Sequence, residues 1–428
     1  MAKKLKIAIY SGNIPSTTFI EQLISSVSQH HQVLLFGRKT KKYQVPKNKL
    51  QKTNSKSVFS KGKHSGEVNE TLEKERESVI REYAYGTSTF QNILLTSIRT
   101  LLLAIRFPKR LKTLFTQIRK QGSIYKKRQA WFKITPILLY LPDIFHIQWA
   151  KETEQWLFLQ ALGVKVVVSL RGAHINYSPI ANKTLANSYE RIFPKVDAFH
   201  AVSEAIAKEV QKYVIGQEKI HVIHSLLPEN TFDLFTLPKE KDSKHINILS
   251  VGRHHWKKGF TTALDACKLL KDEGVSFTYT IIAGGIVLEE LLVQRHELGL
   301  LKEVQFKISL PQQEVFQSMK NSDVLLLPSY EEGIANVVLE AMAMGLPVIS
   351  TDCGGMEEVV ISLETGWIVP TLDSEEIAKS LRSYLNVSDK IKRVMISNAR
   401  KLVLEKFDAV KNGALFLEMY HHIMQSRK

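Results

Sequence analysis

The chain lacks most of what would place it outside the cell or within a membrane. Only two of its 428 residues are cysteine, Cys267 and Cys353. They lie far apart and match neither a disulfide framework nor a metal-ligand spacing, which points to a reducing compartment. No apolar run approaches the roughly 18 residues of a membrane span, and none follows Lys3-Lys4, so neither a transmembrane helix nor a signal peptide is expected. Acid is also scarce: 42 Asp and Glu stand against 59 Lys and Arg, a formal charge of +17. Between Tyr83 and Pro142 there is no acid at all. What is present, 44% apolar residues over a length suited to two or three domains, suffices for substantial cores.

The richest stretch runs from Val324 to Val360. Val324 to Leu327 reads as a buried strand closed by Pro328. Asn336 is the expected N-cap of a helix over Val337 to Met344, Gly345 suits its C′ position, and Val348 to Ser350 is the next strand. This is a βαβ unit, and parallel sheets bind ligands outside the carboxyl ends of their strands. The helix N-terminus there favours phosphate, and a carboxylate about one turn in, Glu340, can accept hydrogen bonds from vicinal hydroxyls. Glu332 on the loop reaches beyond the phosphates. Taken singly, Glu332 reads first as a solvated loop acid and Glu340 as an ordinary acid near a helix start, since acids are common there.

Upstream, Ile246 to Gly259 reads as a buried strand ending at Gly252-Arg253, with Lys258-Gly259 opening a helix. Two cations five residues apart at such a turn can converge on one anion, Arg253 with its fork and Lys258 as a point charge. Solvated loop cations are the alternative, and that is the reading for Lys257 and His255. Between the two motifs, Phe277 to Ala283 is a strand ending in Gly284-Gly285, Val287 to Leu298 a helix, Val304 to Ile308 a strand and Gln312 to Lys320 a helix.

The segment EGIANVVLEAMAMGLPVIS, with Thr351-Asp352 and Gly354-Gly355-x-x-Glu358, resembles the E-x7-E signature and following turn of retaining glycosyltransferase family 4 (glycosyl transferases group 1). The G-R-x4-K-G spacing of Arg253 and Lys258 and the Gly284 turn are similar to the same family's elements. The resemblance implies an α/β chain of two facing Rossmann-like domains, the GT-B architecture, with the active site in the cleft between them. It implies a retaining transfer from a nucleoside diphosphate sugar, with Arg253, Lys258 and Glu332 as the catalytic group. Glu340, Gly333, Ile334, Ala335, Asn336 and Gly284 would be the donor-binding set. No Asp-x-Asp occurs, which removes the usual metal–diphosphate pair of the other large glycosyltransferase fold. Neither metal nor cofactor is expected.

In the N-terminal half, Leu5 to Tyr10 reads as a strand that breaks at Ser11-Gly12-Asn13, followed by a helix from about Thr18 to Gln29 and a strand from Gln32 to Phe36. This opening resembles family members that build bacterial surface glycans, with Gly12 allowing close approach to a sugar. Asp143 to Trp149, Val166 to His174 and Phe199 to Ser203 read as further strand ends. Many family members carry a His in the turn where this chain has Arg171, with His174 three residues on. Arg171 can neutralise charge but cannot serve as a base. His146 is the remaining candidate, with a hydrogen-bonded structural role as its alternative. Gly12, His146, Arg171 and His174 form the acceptor-side set.

The expected partition is an N-terminal domain over 1–235 with a basic insertion at about 38–135, a linker at 236–245, a nucleotide-sugar domain over 246–390 and returning helices over 391–428. Arg38 to Lys74, rich in Lys, Ser, Asn and Gln, reads as a flexible connection. In the acid-free region eleven cations alternate with Leu, Ile, Phe and Trp. That composition suits an anionic membrane surface; a solvated helical face is the alternative, and nucleic acid ranks last. The overall expectation is a surface-polysaccharide glycosyltransferase with a glycan or lipid-linked acceptor, cytoplasmic and peripheral on the inner face of the membrane. A silent GT-B protein or a sugar-nucleotide epimerase is the alternative.

Overall fold

A computed structural model describes residues 4–39, 79–86, 88–214, 216–237 and 245–425. Most of the expected flexible connection and of the linker lies outside the described residues. Strands β1 (Lys6–Ile14), β2 (Gln32–Lys39), β3 (Ile80–Tyr85), β4 (Ile144–Ile147), β5 (Lys165–Leu170), β6 (Ala198–Ala201) and β7 (Ile220–Val222) form one sheet in the order β3-β2-β1-β4-β5-β6-β7. A second sheet has the order β10-β9-β8-β11-β12-β13. Its strands are β8 (Ile246–Arg253), β9 (Phe277–Gly284), β10 (Val304–Ile308), β11 (Val324–Leu327), β12 (Val348–Thr351) and β13 (Trp367–Val369). All five pairings in this second sheet are parallel. Trp367 lies on its edge strand, buried in the core.

By contacts the chain divides into two compact units. One is Met1–Ser169 with Val196–Ala198 and Leu417–Lys428; the other is Leu170–Lys195 with Phe199–Phe416. In the second unit the central strands are apolar on both faces because helices cover both. Ile248, Val324, Leu326 and Ile349 pack with the helices Phe260–Asp272 and Ser374–Asn386. Their neighbours in sequence, Leu249, Leu325, Leu327 and Val348, face the helix Asn336–Met344 on the other side. Each such side chain contributes roughly 1.5–3 kcal/mol by leaving water, so the two clusters fix where these strands end. Strand order reverses between β8 and β11, the switch point at which open α/β sheets hold their ligands.

Two expectations need correction. β1 does not break at Ser11-Gly12-Asn13. It runs to Ile14, with a register shift against β2 between Ile9 and Gly12, because Gly12, Asn13 and Ile14 pair with Gly37, Arg38 and Lys39. A Cβ on Gly37 would lie 2.9 Å from the Gly12 carbonyl group, so glycine there permits the pairing. Nor is Asn336 the N-cap of its helix. Ala335 holds that position and no side chain caps it, while Asn336 is the first helical residue. Gly345 does terminate that helix in the left-handed region, φ +86°.

Candidate functional site

The site is built from the ends of β8, β9 and β11. After β8 the chain makes a short 3-10 turn, Trp256–Lys258, and enters the helix Phe260–Asp272 through Gly259 at φ +62°. A Cβ at Gly259 would lie 1.8 Å from the Pro328 carbonyl oxygen. Only glycine lets the two loops meet. Tyr330 N–H donates to the Lys257 carbonyl at 2.7 Å, and the Tyr330 hydroxyl bonds with Thr261 and Thr262 at 3.0 and 2.7 Å. The stem of Lys258 passes over Gly252, where a Cβ would come within 3.3 Å of Cε, and Gly284 gives similar room beside Arg253 and Ser309. Arg253 itself is exposed at the strand end.

Lys258 Nζ meets Glu332 Oε1 at 2.5 Å, and the Ser329 hydroxyl donates to the same oxygen at 2.9 Å. Both charged side chains are mostly buried, so each supplies the opposite charge that offsets the other's loss of water. Beside them is a second pair that sequence reading missed. Glu331 is 2% exposed and accepts from Asn176 Nδ2 at 3.2 Å and from Lys257 Nζ at 3.4 Å. Lys257 is therefore not a solvated loop cation. Burial pushes the Glu331 carboxyl up, with Lys257 opposing the shift. An acid doubled beside the motif Glu was the only signal available, since burial of one of two adjacent acids is not written in sequence.

Glu340 lies on the second turn of the helix Asn336–Met344. Its half-buried carboxyl is pushed up to about 7 by loss of water, with a weak opposing bond from Gln312 at 3.5 Å. A carboxyl raised in this way can accept from neighbouring hydroxyls when ionised and donate to them when protonated. The uncapped first turn of the helix offers N–H groups to an anion.

Three loops lock around Gly333, Ile334 and Ala335. Gly355 N–H donates to the Gly333 carbonyl at 2.8 Å, and Ala335 N–H to Met356 Sδ at 3.3 Å, with Ile334 buried between them. A Cβ on Gly354 would stand 1.7 Å from the Glu332 carbonyl oxygen, and one on Gly333 would meet Val202 and the Arg171 carbonyl. Gly172 presses on Glu331 in the same way. Of the expected site residues after β8 and β11, Lys258 and Glu332 are thus in direct contact and Gly333, Ile334 and Ala335 follow on the same loop. Glu358, at the end of the signature, instead accepts from the backbone N–H groups of Glu204 and Ala205 at 3.1 and 3.0 Å, anchoring a helix start.

Of the acceptor-side set, Gly12 and His146 belong to the first compact unit and Arg171 and His174 to the second. Arg171 contributes its half-buried position against Gly333, and the His174 carbonyl accepts from the Tyr189 hydroxyl at 3.0 Å. His146 is fully buried, its Nδ1 paired with the Tyr420 hydroxyl at 2.7 Å and its Nε2 with the Ser169 hydroxyl at 2.8 Å. Both ring nitrogens are committed, so this is a structural residue. Gly12 adopts φ +83° with open space where a Cβ would stand. Among the described residues no group of three or more His, Cys, Asp or Glu is placed to hold a metal.

Two family models match the chain, one described as "Glycosyl transferases group 1" over residues 235–402 and one as "Glycosyltransferase Family 4" over 105–226. A colanic acid biosynthesis glycosyltransferase of Escherichia coli is 30% identical over 262 residues, which is 58% of this chain and 63% of that one. An amylovoran biosynthesis glycosyltransferase of Erwinia amylovora is 32% identical over 234 residues, 52% and 56% of the two chains. The chain thus spans roughly six-tenths of the length of these curated relatives. Among solved structures, a glycosyltransferase from Rickettsia africae superposes with a TM-score of 0.66 at 17% identity, covering 99% of this chain and 100% of that one. Anabaena HepE in complex with UDP and glucose gives 0.63 at 17% identity, covering 98% and 100%. At such identities the likeness is one of fold, and the fold is GT-B.

Proposed function

The chain belongs to the group 1 glycosyltransferases of family 4, and from that premise we propose that it transfers a sugar from a nucleoside diphosphate sugar to a hydroxyl of a glycan acceptor in exopolysaccharide biosynthesis. The observation that carries the reading is the convergence of Lys258, Glu332 and an uncapped helix N-terminus at the β8/β11 switch point. Arg253 and Lys258 stabilise the leaving diphosphate, Glu332 positions the transferred sugar and Glu340 holds the ribose hydroxyls. Fixed cations and helix N–H groups supply the electrostatic stabilisation that a metal supplies elsewhere. The names of the curated relatives support a surface-polysaccharide product, and the UDP complex of a structural neighbour supports a nucleotide-sugar donor. Retention of configuration, a lipid-linked acceptor and a peripheral place on the inner membrane face complete the proposal.

The test is release of nucleoside diphosphate from a panel of uridine, guanosine and adenosine diphosphate sugars, with and without membrane extract as acceptor source. Acceptor-dependent release that Lys258→Ala slows supports the reading. Sugar interconversion with no acceptor would point to an epimerase, and no turnover with folded protein to a silent member of the fold.

A further inference from the structure

The acid-free region folds as three helices, Thr89–Arg106, Pro108–Arg119 and Ile124–Leu139, all in the first compact unit. The first of them is packed with its polar side inward. Asn92, Thr96 and Leu103 are its buried residues. Asn92 accepts from Gly86 N–H at 2.7 Å and donates to the Gly86 carbonyl at 2.9 Å, and Thr100 Oγ1 accepts from Trp131 Nε1 at 2.9 Å. These bonds fix the rotational setting of the helix. On the opposite side Phe90, Leu94, Ile98, Leu101 and Ile105 are between 50% and 77% exposed. With 3.6 residues per turn these five fall within an arc of about 80°. A water-facing helix places its apolar stripe inward, so this one is set for an apolar medium.

We propose that this face of Thr89–Arg106 is a lipid-docking surface that enters the interface of an anionic bilayer. Charge selects the occupant. Exposed Arg106, Lys109 and Lys112 continue directly from the apolar helix, Lys126 and Lys127 follow exposed Ile124 and Tyr125, and no acid lies between Tyr83 and Pro142. A second copy would bring cations against cations. Anionic headgroups instead neutralise them while the apolar stripe dips between the acyl chains. No helix among the described residues is long and apolar enough to cross a membrane, so attachment is in the plane of the surface. The inference rests on the proposed function only for its purpose, bringing the enzyme to a lipid-linked acceptor.

The experiment is co-sedimentation of the full chain with phosphatidylcholine vesicles, with and without about 30% phosphatidylglycerol, for wild type and a Leu94→Asp/Ile98→Asp variant. Expected are binding to the anionic vesicles alone, weakening with salt, and a loss of at least about tenfold in the variant. Phe90→Trp should show a blue-shifted emission on adding anionic vesicles. Circular dichroism melts check that the variants are folded. Equal vesicle binding by the folded double variant, no binding by wild type, or a solution dimer abolished by the double variant would each overturn the proposal. Nucleotide-induced stabilisation, measured separately, tells failure of the donor reading from failure of this one.

Discussion

Lys258 and Glu332 form an ion pair, and both are largely out of water. Removing one therefore strands the other, a loss that exceeds that of an exposed ion pair. Lys258→Ala is expected to slow transfer about ten- to a thousand-fold, the range for one preorganised charge contact, in steady-state turnover with saturating donor. Glu340 gives a different signature. Its carboxyl is held up at about 7 by burial, so the folded state binds a proton more tightly than the unfolded chain. The stabilising effect of that proton is complete below the unfolded value and is lost as pH rises through about 7. Glu340→Gln is therefore expected to melt higher than wild type, by on the order of 1–3 kcal/mol at pH 8, with the gap closing towards pH 5. Ribose hydroxyls favour the carboxylate, so nucleotide affinity of wild type is expected to rise with pH up to about 7 and then flatten. Calorimetric titration from pH 5.5 to 8.5 checks it, and a flat profile contradicts the role. That Lys258 and Glu332 stand at neighbouring strand ends was legible in the βαβ pattern, while the roles proposed for Arg253, Lys258, Glu332 and Glu340 come from the family resemblance. The Lys257–Glu331 pair was not legible, because which of two adjacent acids turns inward depends on Asn176, over 150 residues away.

At the scale of elements, the site depends on glycines at which chain meets chain. Gly354→Ala would force a Cβ to 1.7 Å from the Glu332 carbonyl at φ +61°. The left-handed conformation alone costs about 1–2 kcal/mol, and the clash must move the Glu332 loop. A lower urea midpoint together with weakened nucleotide binding is expected; a normal midpoint with normal binding would show that the loop is not positioned from here. Most elements of the second sheet were readable: Val304–Ile308, Gln312–Lys320 and Val324–Leu327 coincide with the expected bounds. The apolar run of Val324–Leu327 and the helical spacing of Gln312–Lys320 carry strong local patterns. β1 was misread because a Ser-Gly-Asn sequence breaks strands locally, whereas pairing with Gly37 on β2 carries the chain through. The inverted setting of Thr89–Arg106 was also invisible, since composition shows an amphipathic helix but not which side faces the protein.

Over the whole molecule, two sheets whose known pairings are all parallel, with helices between the strands, follow from alternating apolar runs and turn signals, and the resemblance to family 4 extends through both halves of the chain. The seven-stranded order of the first sheet could not be read from sequence, because strand order is set by long-range packing. The central claim is that this fold holds a nucleoside diphosphate at the β8/β11 switch point without a metal. The most direct measurement is thermal stabilisation of the full chain by a panel of nucleoside diphosphates and their sugars, in chelator, for wild type and Glu340→Ala. A ligand of the native state at a hundred times its Kd adds about 2.7 kcal/mol of stability. A clear rise in melting temperature with one nucleotide, lost in Glu340→Ala, is the expected result. Absence of any rise across the panel in folded wild-type protein, or an equal rise in the variant, would contradict the account.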